Sequence, residues 1–158
     1  MTPTDSLDLT PAVTRLVNYF QTLSPHSVAD LGQYYAATVY FKDPFNEVHS
    51  SAEIALIFEH MFQALTEPRF VVTNQILQGN QSFLTWEFHF RFKSFQPTQP
   101  QVILGASHLK FSTEGLVSFH RDYWDAAEEL YEKIPLLGGL MRWIKKREKS
   151  ARNSFQKA

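Results

Sequence analysis

The sequence contains no cysteine, only 6 glycines and no long hydrophobic run. Because cysteine is absent, the chain holds no disulfide framework, no cysteine-ligated zinc site and no thiol nucleophile. No apolar stretch approaches the roughly 20 residues that a membrane-spanning helix requires. A glycine-rich phosphate loop and a serine nucleophile elbow are also missing, so nothing supports a nucleotide-binding protein or a serine hydrolase.

The start of the chain lacks the features of a targeting segment. Residues 1–8 are polar and acidic, which is not typical of a secretory signal. We expect residues 1–9 to form a flexible N-terminus, and we expect the protein to be cytoplasmic.

The composition is that of one packable globular domain. Of the 158 residues, 44% are hydrophobic and 20% are charged, and the aromatic side chains comprise 14 Phe, 6 Tyr and 3 Trp.

The net charge is −1, but the charged side chains are unevenly distributed along the chain. Residues 1–132 hold 7 basic and 15 acidic side chains, whereas residues 133–158 hold 8 basic and 1 acidic. An acidic body argues against nucleic acid as a partner.

The basic tail has a pattern of its own. Apolar side chains recur at helical spacing on one face, namely Leu137, Leu140, Met141 and Ile144. This pattern predicts a basic amphipathic extension over 133–158, whose residues 134–152 contact an anionic membrane surface or a partner protein. The alternative is a C-terminal helix that docks over its own pocket or on a second copy, with a solvated basic face.

The period of the apolar residues changes once along the chain. Helical spacing predicts helices over residues 10–23, 27–35 and 51–65, with a short strand at 39–41. Alternation and turn signals then predict four strands, at 70–77, 83–92, 102–111 and 116–124. A last helix is expected from Asp125 to Tyr131.

Helices followed by hairpin-connected strands indicate an α+β fold. Over residues 10–132 we expect a cone-like domain in which N-terminal helices pack on a curved, mainly antiparallel sheet and enclose an apolar pocket. Trp86, Phe88 and Phe90 share one strand face, so they are expected to line this pocket or to fill the core. An aromatic wall favours a hydrophobic small molecule, such as a steroid, polyketide or fatty-acyl compound.

Two segments and a short ending carry a family resemblance. The segments run from Tyr34 to Phe45 and from His108 to Val117, and the ending is the tripeptide at 122–124. Over about residues 10–130 the chain resembles the nuclear transport factor 2-like superfamily, which includes ketosteroid isomerases, SnoaL-type polyketide cyclases and limonene epoxide hydrolase. The superfamily hosts enzymes, binding proteins and assembly domains, so the resemblance implies a fold and a pocket rather than one activity.

The resemblance to ketosteroid isomerases implies roles for two residues. Asp43 falls where those enzymes keep their carboxylate general base, and Tyr19 falls where they keep the tyrosine that donates to the enolate oxygen. At a third position, where they keep a protonated aspartic acid, this sequence has Ser107. The alternatives are a turn in which Asp43 binds local backbone N–H groups, and a core position for Tyr19.

His120 and Asp122 lie two residues apart on one predicted strand and therefore share a face. Such a pair can act as acid and base, because the carboxylate orients the imidazole. The resemblance to SnoaL-type cyclases supports this role, since a carboxylate near the Asp122 position serves there as the acid/base group. The alternatives are a structural hydrogen bond at the pocket mouth and a contact on a dimer face.

The strand pattern leaves the inward face of residues 116–124 open. The resemblance turns His120, Asp122 and Trp124 into the pocket, where Leu109 and Trp124 would extend the aromatic wall. Alternation alone would equally well bury the other set, which is Val117, Phe119 and Tyr123.

The six histidines form no spaced metal-binding motif. His89 shares a strand face with Glu87 and Arg91, opposite the aromatic side chains. We therefore expect no metal and no cofactor.

The sequence predicts a cofactor-free isomerase, cyclase or dehydratase that transfers a proton on a hydrophobic substrate. In this hypothesis Asp43 is the base, Tyr19 donates to the oxyanion, and His120 with Asp122 forms a second acid/base group. The alternative is a non-catalytic carrier or accessory subunit that holds a lipid-like ligand, with the tail at a membrane or a partner enzyme. A homodimer through the outer sheet face is expected in either case.

Overall fold

The computed structural model describes residues 8–131, so the predictions for residues 1–7 and for the basic tail lie outside the described residues. The chain divides into two compact units between Tyr123 and Trp124. The helices of the first unit are α1 (Thr10–Gln21), a short 3₁₀ helix (Ser27–Gln33) and α2 (Ser51–Ala64). Its strands are β1 (Tyr35–Lys42), β2 (Glu47–Ser50), β3 (Leu65–Gln78), β4 (Gln81–Phe92), β5 (Gln101–Phe111) and β6 (Val117–Tyr123).

The six strands form one sheet in the order β2-β1-β6-β5-β4-β3. Every neighbouring pair is antiparallel except β1 and β6, which are parallel. Helix α1 packs on β3, and α2 packs on β1 and β3. The predicted α+β fold, with N-terminal helices on a mainly antiparallel sheet, is therefore confirmed. None of the helices in the described part of the chain is long and apolar enough to cross a membrane.

Local sequence signals explain where both long helices begin. Pro11 lies in the first turn of α1, and Oδ1 of Asp8 accepts a hydrogen bond from the Thr10 N–H at 3.0 Å. Ser50 and Glu53 form a capping box at the start of α2. The Ser50 hydroxyl oxygen accepts from the Glu53 N–H, and the Glu53 carboxylate accepts from the His49 N–H and from the Ser50 hydroxyl.

Three element boundaries differ from the sequence predictions. The second helix is a 3₁₀ helix that ends at Gln33, because Tyr35 begins β1 and is buried there. Helix α2 ends at Ala64, and β3 continues through Pro68. A proline is tolerated because β3 is an edge strand and bulges between Thr66 and Arg69. The four-residue edge strand β2 was not predicted.

The second unit is described only over residues 124–131. It contains the one-turn helix α3 (Ala126–Glu129). The carboxylate of Asp125 accepts hydrogen bonds from the N–H groups of Ala127 and Glu128. Asp125 is therefore the N-cap of α3, as its position in the sequence predicted. The helix is shorter than the expected span to Tyr131.

Candidate functional site

A small cavity of about 30 Å³ lies between the helices and the inner face of the sheet. It has room for about two water molecules. Its wall is mostly aromatic and carries three polar side chains. The lining residues are Phe20, Phe58, Phe70, Val72, Trp86, Ser107, His120 and Asp122.

A bulge in β6 decides which side chains of that strand face the cavity. Lys110 of β5 lies opposite Phe119, and the next residue, Phe111, lies opposite Val117, so Ser118 is an extra residue on β6. The bulge shifts the alternation, and both Val117 and His120 are buried on the same side. Simple alternation would have buried one or the other.

The same register places the polar groups of the cavity side by side. Ser107 lies opposite Asp122, and Leu109 lies opposite His120. Asp122 lines the cavity, whereas Tyr123 is 49% exposed on the other face. The structure therefore brings together His120, Asp122 and Ser107.

His120 is the centre of a buried hydrogen-bond network. Its Nε2 lies 2.7 Å from Oδ1 of Asp122, and its Nδ1 lies 2.7 Å from the hydroxyl of Tyr35. An ionised carboxylate only accepts, so Nε2 is the donor to Oδ1 of Asp122, and Nδ1 of a neutral ring then accepts from the tyrosine. His120 is 3% exposed and Tyr35 is 1% exposed, so the bond between these two side chains is shielded from solvent, whereas the Asp122 side chain is 18% exposed.

The network continues through Ser107 to the indole of Trp86. The Ser107 hydroxyl donates to Oδ1 of Asp122 at 2.5 Å, and the indole N–H of Trp86 donates to the Ser107 oxygen at 2.9 Å. Both bonds to Asp122 thus fall on Oδ1. Among residues 8–131, no side chain or backbone group forms a hydrogen bond with Oδ2. One carboxylate oxygen is therefore held by two donors, while the other has no hydrogen-bond partner within residues 8–131.

Tyr35 was not predicted to belong to the site. Burial raises the pKa of its hydroxyl well above the usual value, and the negative charge of Asp122 adds to that effect. The hydroxyl consequently stays protonated and serves as a donor to His120. The sequence gives little indication that Tyr35 belongs to a site, because Tyr35 continues the helical spacing of the preceding segment.

We expect Tyr35→Phe to flatten the loss of stability at alkaline pH. The pKa of Tyr35 is raised in the folded state, so its contribution is complete below about pH 10 and is lost as pH rises further, where only the unfolded chain releases the proton. The free energy of unfolding should therefore fall about 1.4 kcal/mol less per pH unit in the variant between roughly pH 10.5 and 11.5. Urea titrations measure this slope. Tyr123→Phe is the exposed control, and an equal slope in wild type and Tyr35→Phe would contradict the expectation.

Tyr19 is buried in α1 and is not among the residues that line the cavity. Its hydroxyl donates to the backbone carbonyl of Ser27 at 3.0 Å, and its ring stacks on Tyr34 with the centroids 4.1 Å apart. Burial raises the pKa of Tyr19. These contacts are those of a core tyrosine with a satisfied hydroxyl.

Asp43 lies in the turn between β1 and β2. Its Oδ1 accepts from the backbone N–H groups of Phe45 and Asn46, at 2.7 and 2.6 Å, and the Asn46 side-chain amide donates to both carboxylate oxygens. This arrangement is an Asx turn. Asp43 is not among the lining residues of the cavity that contains His120.

The predicted ligand-binding residues divide into two groups. Trp86 and Ser107 line the cavity. Phe88, Phe90 and Leu109 lie on the inner side of the sheet, where Phe88 stacks on Phe70 and the other two are buried, but they are not lining residues. Trp124 follows the end of β6 and belongs to the second unit, so its role stays a prediction.

The helices supply lining residues that sequence analysis missed. Phe20 of α1 and Phe58 of α2 lie in the apolar stripes of their helices, which only indicate burial. Phe70 and Val72 of β3 complete the wall. Which buried residues meet at the cavity depends on tertiary packing that periodicity does not encode.

No group of three or more potential metal ligands occurs within residues 8–131. His89 binds Glu87 at 2.8 Å on its own strand, as the shared face predicted. His108 binds Gln81 and stacks on Phe83.

Comparisons with known proteins agree with this architecture. A family model described as a SnoaL-like domain matches residues 16–120. No curated protein matches the sequence significantly.

Three solved structures illustrate the fold. A hypothetical protein with a ketosteroid isomerase-like fold from Catenulispora acidiphila DSM 44928, in complex with trimethylamine, is 15% identical, with a TM-score of 0.65 over 77% of this chain and 90% of its own. An M. tuberculosis LEH-like epoxide hydrolase is 9% identical, with a TM-score of 0.62 over 87% and 91%. A candidate SnoaL-like polyketide cyclase from Shewanella putrefaciens CN-32 is 19% identical, with a TM-score of 0.62 over 76% and 96%. At these identities the likeness shows the fold alone.

Proposed function

The chain belongs to the SnoaL-like domain family, and from this premise we propose that it is a cofactor-free enzyme that transfers a proton on a hydrophobic substrate, as an isomerase, cyclase or dehydratase does. The observation that carries the proposal is the carboxylate of Asp122. It lines an aromatic cavity, with Oδ1 held by two donors and Oδ2 without a hydrogen bond among the described residues.

In this proposal Asp122 is the base and His120 its orienting partner. A C–H proton of the substrate passes to Oδ2 of Asp122, and the electron pair of the broken bond stays on the substrate as an enolate. The proton later returns to a different atom of the same molecule or, in a dehydration, joins the departing hydroxide, which leaves as water. The imidazole N–H keeps the carboxylate in one orientation, and the Tyr35 hydroxyl keeps the imidazole in one tautomer. The base is therefore preorganised before the substrate binds.

The cavity constrains the substrate. Its volume of about 30 Å³ accepts only the reacting end of a steroid-, polyketide- or fatty-acyl-like molecule unless side chains move. The wall offers aromatic surface apart from Ser107, His120 and Asp122, which favours an apolar substrate with one polar reacting group. Carbonyl compounds fit this description, because a carbonyl acidifies the neighbouring C–H bond.

The test is solvent deuterium exchange. Wild-type protein is incubated in D₂O with a panel of hydrophobic ketones and thioesters, and incorporation of deuterium next to the carbonyl is measured by mass spectrometry. The proposal expects exchange with at least one class above the rate with denatured protein. Absence of exchange, conversion and dehydration across the panel would contradict it.

The charge asymmetry of the sequence favours the second proposal, a carrier or accessory subunit whose tail reaches an anionic surface. We expect the full chain to bind vesicles that contain an anionic phospholipid, and we expect charge reversal at Lys145 and Lys146 to weaken binding several-fold at low salt. Co-sedimentation measures binding, with neutral vesicles as the control. Equal binding of wild type and variant would contradict the proposed contact between the tail and an anionic surface.

We also propose that two copies associate through the outer face of the sheet. Exposed apolar side chains lie on that face, namely the paired Ile76 and Phe83, and also Leu104 and Tyr123. Leu104→Lys should convert a dimer into a monomer in light scattering, because it places a charge in the apolar contact. Leu56→Lys is the matched control, since Leu56 is 53% exposed on α2 and Leu104 is 57% exposed on β5. A monomeric wild type, or dissociation by the control variant alone, would contradict this arrangement.

A further inference from the structure

Trp86 lies against a position where only glycine fits. Gly105 is directly opposite Trp86 in the β4–β5 pairing. A Cβ atom at residue 105 would come within 2.3 Å of Cη2 and 2.5 Å of Cζ2 of the indole. Carbon atoms do not pack so closely, so any larger residue would displace the ring. Gly105 therefore permits the indole to lie close against the β5 backbone.

From this position the indole reaches Ser107, two residues further along β5. Its N–H donates to the Ser107 oxygen at 2.9 Å, and a serine hydroxyl has a single proton. Because the oxygen accepts from Trp86, the hydroxyl proton is directed to Oδ1 of Asp122 at 2.5 Å. Trp86 is 7% exposed and Ser107 is 3% exposed, so water does not compete for the bond between them.

We propose that Trp86 is a positioning residue for Asp122 that acts through Ser107, and that Gly105 is the residue that permits this arrangement. The inference rests on the proposed role of Asp122 as the base. With Trp86 in place, both donors of the network bind Oδ1, and Oδ2 is the oxygen left to the substrate. Without the indole N–H, the Ser107 hydroxyl can rotate to other acceptors and the carboxylate loses one of its two restraints.

The first experiment needs no substrate. The sequence has three tryptophans, so the ¹H–¹⁵N spectrum contains three indole signals, and the one missing in Trp86→Phe belongs to Trp86. Ser107→Ala should move that signal upfield and speed its exchange with solvent about tenfold, which corresponds to one hydrogen bond. An unchanged position and exchange rate in Ser107→Ala would overturn the proposal.

The second experiment measures deuterium exchange in the substrate for Trp86→Phe, Ser107→Ala and the double variant. We expect each single variant to be about tenfold slower, and the double variant to be no slower than Ser107→Ala, because both act on the same hydrogen bond. If the rate loss of the double variant equalled the product of the two single losses, the proposed action of Trp86 through Ser107 would be overturned. If Asp122→Asn leaves the rate unchanged, the proposed function fails, whereas the indole signal still decides whether Trp86 donates to Ser107.

The third experiment separates Gly105 from a general loss of folding. Gly105→Ala should lower the melting temperature by about 4–8 °C in the wild-type background. In the Trp86→Phe background it should lower it by less than about 2 °C, because a phenyl ring lacks the indole atoms that collide with the new Cβ. Equal losses in both backgrounds would overturn the role of Gly105.

Discussion

Asp122→Asn is expected to slow deuterium exchange in the substrate by about 10²- to 10⁴-fold, which is the usual contribution of a general base. The substitution keeps the shape of the side chain. Its amide oxygen can still accept from Ser107 and His120, which donate to Oδ1 in the wild type. The position of Oδ2 is taken by an amide nitrogen that cannot accept a proton. Folding should therefore be retained, and the rate alone should fall.

Asp43→Asn is the matched comparison, because the resemblance to ketosteroid isomerases implied that Asp43 is the base. The Asp43 carboxylate accepts hydrogen bonds from the turn at Phe45 and Asn46, so we expect the variant to lose less than tenfold in rate and some stability instead. The opposite pattern, with a large rate loss in Asp43→Asn and little in Asp122→Asn, would return the base role to Asp43. Tyr19→Phe tests the predicted oxyanion donor in the same assay.

His120→Leu is expected to lower the free energy of unfolding by about 3 kcal/mol. The leucine fills the buried volume but leaves the Tyr35 hydroxyl without its acceptor and the Asp122 carboxylate without one of its two donors. Urea unfolding measures the loss. His89→Leu is the control, because His89 is one-third exposed and binds Glu87 outside the cavity, and it should cost less than about 1 kcal/mol.

A double-mutant cycle distinguishes lost hydrogen bonds from lost packing. In the Tyr35→Phe background the hydroxyl is absent, so His120→Leu no longer leaves a buried donor unpaired. We expect its cost to fall by about 1–2 kcal/mol there. Strictly additive losses would mean that the two side chains do not share a hydrogen bond in solution.

The order of helices and strands was predictable because the spacing of apolar residues along the sequence reflects which side chains are buried. The change from helical spacing to alternation near residue 70 distinguished the helical part from the hairpins. Boundaries were less predictable where tertiary pairing overrides local preference. Tyr35 continues a helical pattern, yet it begins β1 because its ring fills the core beside His120.

The site was only partly predictable for a related reason. The spacing of His120 and Asp122 placed them on one face, but the choice of face depends on the bulge at Ser118. Alternation counts residues and contains no signal for an extra one. The resemblance supplied that choice, and it also named Asp43, whose carboxylate lies in a turn outside the cavity lining.

The parallel pairing of β1 with β6 has a consequence for how the chain acquires its site. Tyr35 of β1 lies opposite Val117 of β6, so β1 cannot pair on this side until β6 is present. On the ribosome, the hairpins of β3, β4 and β5 can close as they emerge, whereas β1 stays without its inner neighbour until β6 has been synthesised. The bond from His120 to Tyr35 joins β6 to β1, so it can form only after β6 has been synthesised. A nascent chain that stops short of β6 lacks His120 and Asp122 and therefore contains no hydrogen-bond network around Tyr35.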